Sequence, residues 1–493
     1  MERSTQRRSG PRQRVVVIGG GISGLSAAYR LDRLAWEQGR RIDIRLLESS
    51  HRLGGQVRSE RVDGCLLEAG PDSIFAFKPA GPALCRELGL EEELIHPRAD
   101  AGGMQVAHRG RLARLPRGFF IMAPTELRPL LGSSLFSWRG KLRMACEPLI
   151  PARTTDADES LREFVTRRFG REAFERAAEP ILGGLFTADA DRLSMQLAVP
   201  RFREMERRHG SVLRGVREAR RKRGNGTGPQ SAFISLRSGL GRLIEALAER
   251  LPEATIATGA RVAALDLDRG AGVWRVGGDG FDSLEADGLI LACPARAASA
   301  LLRPLAGDLA DDLDGIGYAS CATVNLVYDR DRIRSPLDTF GFFVPRSEGS
   351  PFLAGSHVSI KFAGRVPEGR VLLRAFLGGA MHPGLLEQDD RALIELARTE
   401  LERYLRIEGA PRMERIHRCP QSMPQFGVGD AARLRRIARR AESLPGLSIC
   451  GGADGAIGLP DCIVSGERAA RVTAGRLFAE GSRQVDDLVV SAF

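Results

Sequence analysis

A strand, a glycine turn and a helix follow one another without a break near the N-terminus, an order that fits a nucleotide-binding βαβ unit. Residues 14–18 (RVVVI) form a β-branched run suited to a parallel strand buried on both faces. The run enters Gly19-Gly20-Gly21-Ile22-Ser23-Gly24, after which Leu25, Ala28, Leu31 and Leu34 recur along one face of a helix that Gly39 stops. In Gly19-x-Gly21-x-x-Gly24 the first glycine permits the tight turn, the second lets the backbone approach a pyrophosphate, and the third packs helix on strand. The free amides of the helix N-terminus favour that negative charge. A second strand at 42–47 delivers Glu48, 24 residues after Gly24, where a carboxylate suits a ribose hydroxyl pair and repels a 2′-phosphate. This argues against NADP and leaves FAD and NAD open.

The same type of pattern returns in the middle and at the end of the chain. Residues 233–251 read as a helix-bearing segment, 255–267 and 272–276 alternate as antiparallel strands should, and 288–294 is a buried strand stopped by proline. A strand at 447–450 enters a second glycine cluster and then a helix from about Ile463. The simplest account is one discontinuous dinucleotide-binding domain over 14–100, 232–315 and 439–493. Its insertions are a helical one at 119–231 and a strand-bearing substrate domain over 101–118 and 316–438, with strands at 323–328, 341–345 and 371–377. Of 493 residues 43% are hydrophobic and 27% charged, which excludes a disordered or fibrous chain. The eight cysteines contain no C-x-x-C pair and the seven histidines no ligand spacing, so reduced thiols and no metal site are expected. No apolar run approaches the length of a membrane span. The first dozen residues read as a disordered tail and the GNGTG stretch at 224–228 as a loop. A cytoplasmic location is the expectation.

Several further stretches act together. These are HRLGGQ at 51–56, EAGPD at 68–72, EPILGGLF at 179–186, FGFFVPR at 340–346, MPQF at 423–426 and GGADGAIGLPDC at 451–462. With them the chain resembles the FAD-dependent amine oxidase superfamily, and within it the oxygen-dependent protoporphyrinogen/coproporphyrinogen oxidase family of haem biosynthesis, over about residues 14–475. The resemblance implies an α/β fold: an FAD-binding Rossmann-like domain of the GR2 type with an inserted α+β substrate domain and a helical insertion. It implies FAD as cofactor. Gly19, Gly20, Gly21, Ile22, Ser23, Gly24, Glu48 and Ser49 would hold the adenosine half, with Val262 meeting the adenine through its backbone. Arg52, Gly54, Gly55 and Gln56 form the R-x-G-G loop, where the family often has a larger residue in place of Gln56. Gly70, Pro71, Asp72 and Ser73 would lie near the isoalloxazine, and Gly452, Ile457, Gly458 and Leu459 would close over the flavin. Ala456 stands where the family usually has glycine, and Asp430 where many members have histidine. For substrate, the resemblance implies Lys78 at a propionate and Gly184, Phe340 and Phe342 lining a porphyrin, while Met104 stands where eukaryote-like members carry arginine.

The implied reaction is the six-electron oxidation of a porphyrinogen, with O2 as acceptor and three H2O2 formed. A flavin supplies that chemistry, and the sequence offers no nucleophile motif, no metal spacing and no identifiable general base. A net charge of +11 and Lys78 favour coproporphyrinogen III, with four propionates, over protoporphyrinogen IX, with two. The rival readings are a flavin amine oxidase, a carotenoid desaturase and a porphyrin-carrying flavoprotein. Residues 201–224 carry ten Arg/Lys against three Glu, a net of +7. That stretch fits an acidic membrane surface, with 119–122 and 130–136 as apolar contacts, or a field attracting propionates, or a solvated face. No nucleic-acid-binding motif accompanies it. Ferrochelatase, peripheral membrane association and a homodimer are further expectations from the resemblance.

Overall fold

A computed structural model describes residues 9–223 and 232–478. Five parallel strands lie in the order Ile256–Thr258, Arg40–Glu48, Ser9–Ile18, Gly288–Leu291 and Leu447–Ile449. The N-terminal strand is therefore central, pairing Val15 with Ile44 on one side and with Gly288 on the other. Alternate side chains of a strand leave on opposite faces. Val15, Val17, Leu46 and Ile290 pack beneath the helices Ile22–Glu37 and Leu459–Phe478. Val16, Ile18, Leu47, Leu289 and Leu291 pack on the other face with Trp274, Val276, Leu309 and Ile437. Both faces are covered, which is why the RVVVI run is apolar without alternation.

Three expectations need correction. The central strand starts at Ser9, paired with Arg40, so only residues 1–8 of the anticipated tail lie outside the described residues, as does the loop at 224–228. The segment 255–267 is two strands, because Gly259 takes a left-handed turn (φ +68°) and its amide donates to the Ser50 carbonyl at 2.8 Å. Before that turn Ile256–Thr258 edges the parallel sheet. After it Arg261–Asp268 joins Val273–Asp279 and Leu284–Ala286 in an antiparallel sheet. The C-terminal helix starts at Leu459 rather than Ile463, with Pro460 in the first turn, where a backbone donor is not needed.

A seven-stranded sheet carries the second domain, in the order Met413–Gln425, Gly317–Asp329, Arg370–Gly378, Phe352–His357, Gly341–Phe343, Gln105–His108 and Arg111–Arg114. Helix Asp390–Leu405 covers one face through Leu393, Ala397 and Leu401. The other face meets the first domain: Thr323 Oγ1 donates to the Ala69 carbonyl (2.9 Å) and Asn325 Nδ2 to that of Glu68 (3.5 Å).

The insertion is helical around Phe164, Phe169, Phe174 and Phe202, with a short hairpin of Phe119–Phe120 and Ala123–Pro124 at its start. Fully buried Arg168 and Glu147 pair within it, and Ser211 Oγ donates to Glu147 Oε2 at 2.5 Å. Met122, Leu130, Leu135 and Phe136, anticipated as membrane contacts, are core residues here. The basic stretch is partly neutralised: Arg207 and Arg208 pair with Glu204, Arg203 with Asp158 and Arg220 with Glu126.

Candidate active site

The site begins at the glycine turn. Gly19 has φ +112°, and a Cβ there would stand 2.7 Å from the Ala292 carbonyl oxygen. A Cβ on Gly24 would run into the Gly19 carbonyl. Gly21 is different: its Cβ would meet nothing within 4 Å, so the backbone is bare towards open space. Gly21 also caps helix Ile22–Glu37 without a side-chain bond, and the first turn holds no acidic residue. Together these leave a cradle for a pyrophosphate above the amides at Ile22, Ser23 and Gly24.

Glu48 ends the neighbouring strand. Its carboxylate accepts from the Gly20 amide (2.7 Å) and the Ser50 amide (2.8 Å), which fixes it beside the turn with lone pairs left for hydroxyl groups. Ser49 is exposed next to it. Ala260 donates to the Glu48 carbonyl at 2.9 Å, which brings the chain towards Val262, itself paired with Gly278. The Gly54 amide donates to the Gly20 carbonyl at 2.8 Å, and a Cβ on Gly55 would be 3.5 Å from Gly21 Cα. Arg52 folds back on this loop, donating to the Gly55 carbonyl at 2.8 Å. Gly70 packs against the Gln56 backbone so closely that no Cβ fits. From the far end of the chain, Gly452 lies under Tyr318 and Pro424, with room for a Cβ only 3.0 Å from the tyrosine hydroxyl. Ile457, Gly458 and Leu459, all partly exposed, lead into the helix that packs on Ile22–Glu37.

Beyond Gly70 the sequence reading missed a buried group of charges. Lys361 donates to Asp72 Oδ1 (3.1 Å) and Ser73 Oγ (2.9 Å), and stands 4.6 Å from the Phe233 ring centre. Arg374 donates to the Gly70 and Ala69 carbonyls. Arg365 donates to Ser235 Oγ at 2.6 Å, and that hydroxyl donates to the Asp72 carbonyl. Although burial opposes it, Lys361 and then Arg374 hold the Asp72 carboxyl well below the usual carboxylate range. Burial pushes the Glu68 carboxyl up and the guanidinium groups of Arg365 and Arg374 down. Lys361, Arg365 and Arg374 against Glu68 and Asp72 leave three cations facing two carboxyl groups. Nε and Nη1 of both arginines find no hydrogen-bond acceptor among the described residues. Buried donors beside the Gly70 to Ser73 backbone suit the carbonyl and ring-nitrogen edge of a flavin. Arg374 had a signal, being a lone charge in the apolar strand VLLRAFLG, whereas nothing local marked Lys361.

The sequence-derived substrate residues do not converge. Lys78 Nζ lies 2.6 Å from both carboxylate oxygens of Asp461, half-exposed and already neutralised. Phe342 is fully buried in the covered face of the large sheet against Phe352 and Tyr404, with ring centres at 5.8 and 5.3 Å. Strand alternation instead turns Phe343 towards Gly184, whose Cβ would be 3.0 Å from the Phe343 ring. Phe340 is partly exposed and held by its backbone to Gly103 and His357. Gly184 follows a ten-residue π-helix, Phe174–Gly183, a form that recurs at functional sites. Within that helix Glu179 is pushed up to about 7 by burial, against the pull of Arg346.

The model of flavin-containing amine oxidoreductases matches residues 22–473. Coproporphyrinogen III oxidase of Bacillus subtilis is 31% identical over 473 residues, covering 95% of this chain and 99% of that protein. Protoporphyrinogen oxidase of Bos taurus is 34% identical, covering 94% and 98%. The solved structure of a candidate protoporphyrinogen oxidase from Exiguobacterium superposes with a TM-score of 0.82 at 30% identity, over 93% of this chain and 98% of that one. With a glycine cradle, a ribose acid hydrogen-bonded to it and the C-terminal glycines packed against Ser23, the chain belongs to the porphyrinogen oxidase family of flavin-containing amine oxidoreductases, and its cofactor is FAD.

Proposed function

We propose that the protein oxidises a porphyrinogen to the porphyrin with O2 as acceptor, and that its preferred substrate is coproporphyrinogen III. The observation that carries the reading is the succession of backbone contacts from the bare Gly21 turn through Gly55 and Gln56 to Gly70, whose carbonyl Arg374 holds beside Lys361, in a chain similar end to end to coproporphyrinogen III oxidases. The FAD that these residues would hold would supply the hydride-accepting and oxygen-reducing chemistry. The chain's own residues then have three tasks. The turn amides and Glu48 bind the adenosine diphosphate half. Lys361, Arg374 and Arg365 fix the Gly70 to Ser73 backbone and present donors to the ring. The large sheet and the helical insertion enclose the substrate near Gly184 and Phe343 and exclude water.

Charge favours the four-propionate substrate, since the chain carries +11. Because Lys78 is paired with Asp461, attraction to propionates rests on the overall field more than on that lysine. The test is kcat/KM for coproporphyrinogen III and protoporphyrinogen IX under identical salt and detergent, read by porphyrin fluorescence and peroxide release. A preference for coproporphyrinogen of about tenfold, roughly one charge-assisted pair, is expected. Preference for protoporphyrinogen, or turnover of benzylamine alone, overturns the reading.

Docking on an acidic membrane is proposed for the helical insertion, through a different set of side chains from those read in the sequence. Trp138 (70% exposed) and Leu142 share one face of helix Trp138–Ala145. Lys141 Nζ donates to the Leu131 carbonyl (2.7 Å), bringing exposed Leu131 alongside, and Leu149 is 77% exposed. Arg128 and Arg139 are exposed cations in the same stretch. Among the described residues no helix is long and apolar enough to cross a membrane. Ferrochelatase and a second copy of the chain are proposed partners on the family resemblance alone.

A further inference from the structure

Two cysteines face each other across the large sheet. Gly317–Asp329 and Met413–Gln425 run antiparallel, and their register sets Cys321 directly opposite Cys419. Directly opposed residues have Cα separations of about 4.5–5.5 Å, inside the range a disulfide spans. Both cysteines are free in this structure. Ser422 Oγ stands 3.9 Å from Cys321 Sγ and donates to the Cys419 carbonyl at 2.9 Å, closing the group. The strand beyond bulges, with Gln421 at φ +45° and its amide bonded to Ser320 Oγ.

The pair lies on the face that meets the cofactor domain. Thr323, two residues along the same face and so about 7 Å away, donates to the Ala69 carbonyl. Arg374, beside Asn325 in register, donates to the Ala69 and Gly70 carbonyls. On the other side Cys321 pairs with Gly378, which has no side chain to cover it. Cys321 is half-buried and Cys419 buried.

The two thiols are not equivalent: Cys321 is partly exposed and Cys419 is buried. The Cys419 thiol lowers the Cys321 thiol to about 7 against burial, with help from Ser422 and Arg374. Cys419 is correspondingly pushed up. Burial pushes Cys85 and Cys462 to about 11 and Cys293 to about 12. The thiolate is the nucleophile, so Cys321 stands apart.

We propose that Cys321 and Cys419 form a peroxide-oxidised dithiol site, in which H2O2 released during substrate oxidation converts the pair to a cross-strand disulfide. The source of peroxide rests on the oxygen-dependent reading above. In the first step the Cys321 thiolate attacks one peroxide oxygen. An S–O bond forms, the O–O bond breaks, and hydroxide leaves as water after taking a proton. In the second step the Cys419 sulfur displaces that oxygen, the S–S bond forms and a second water leaves. Two thiols lose two electrons and two protons, and one peroxide becomes two waters.

Differential alkylation and mass spectrometry of the reduced, desalted holoenzyme tests this. With added H2O2 a Cys321–Cys419 disulfide should form about tenfold or more faster than Cys85 is oxidised. In Cys419→Ser, dimedone should trap a sulfenic acid at Cys321, and in Cys321→Ser Cys419 should stay reduced. Oxidation of Cys146 ahead of Cys321, or an untouched pair, overturns the proposal without reference to any variant's folding. During turnover in air the same disulfide should form, and catalase should prevent it. Turnover that releases peroxide without forming the disulfide overturns oxidation by the enzyme's own product. Turnover that releases no peroxide marks failure of the oxygen-dependent reading instead, and the added-peroxide arm still decides the thiol site.

Discussion

Asp72 and Glu179 are both buried carboxyl groups, and they shift in opposite directions because Lys361 and Arg374 outweigh burial at Asp72 whereas Arg346 does not at Glu179. Lys361 and Arg374 lie against Asp72, so its ionised form is favoured and its contribution to stability is present above the ordinary carboxyl pKa and lost as pH falls through the depressed value. Glu179 is governed by burial, and its folded pKa of about 7 lies above the ordinary 4.5. The sign is therefore reversed: between about 4.5 and 7 the unfolded chain releases a proton that the folded chain keeps, and stability falls as pH rises. Glu179→Gln removes that penalty. We expect no gain near pH 4.5 and a gain of up to about 3 kcal/mol at pH 8, measured as Tm across that range. A Tm difference between variant and parent that does not grow with pH would contradict the assignment.

At the scale of elements, the cradle depends on two helices lying almost in contact. Gly466 in Leu459–Phe478 sits on the Ser23 carbonyl, leaving no room for a Cβ. Gly466→Ala must push the helices apart at the end that carries Ile22, Ser23 and Gly24. A cost of about 1–3 kcal/mol is expected, with a lower flavin-to-protein absorbance ratio after gel filtration. Unchanged flavin retention would show that the two helices tolerate separation. The first helix was legible because its glycine spacing and three-residue apolar repeat are local signals. The parallel strands were legible because burial on both faces makes them continuously apolar. Gly259 was not, since alternation runs through both strands it separates and a turn defined by φ leaves no periodicity. Phe342 was misplaced because a strand pattern gives which residues share a face but not which face meets the substrate. Lys361, Arg365 and Arg374 act only as a group assembled from separate segments, against Asp72 and Glu68 from another domain, and no local spacing predicts that.

For the whole molecule, apolar side chains left exposed on the insertion are the feature without an internal partner. Trp138, Leu142, Leu131 and Leu149 lie within one short stretch that also carries exposed arginines. Binding to vesicles containing acidic lipid is expected at low salt, weaker with neutral lipid, and weakened about tenfold by Trp138→Ser with Leu142→Ser. Co-sedimentation at two salt concentrations measures it, and equal binding of the double variant would remove this surface from consideration. The sheet itself has another consequence. Its central strand Ser9–Ile18 is joined in one sheet with the edge strand Leu447–Ile449 and packs beneath the helix Leu459–Phe478 that seals the glycine turn, segments separated by most of the intervening sequence. Contacts so far apart in sequence make closure a slow, late event. Capture of the cofactor is thus tied to the longest-range contacts of the fold, because the glycine turn is sealed only when those distant segments meet.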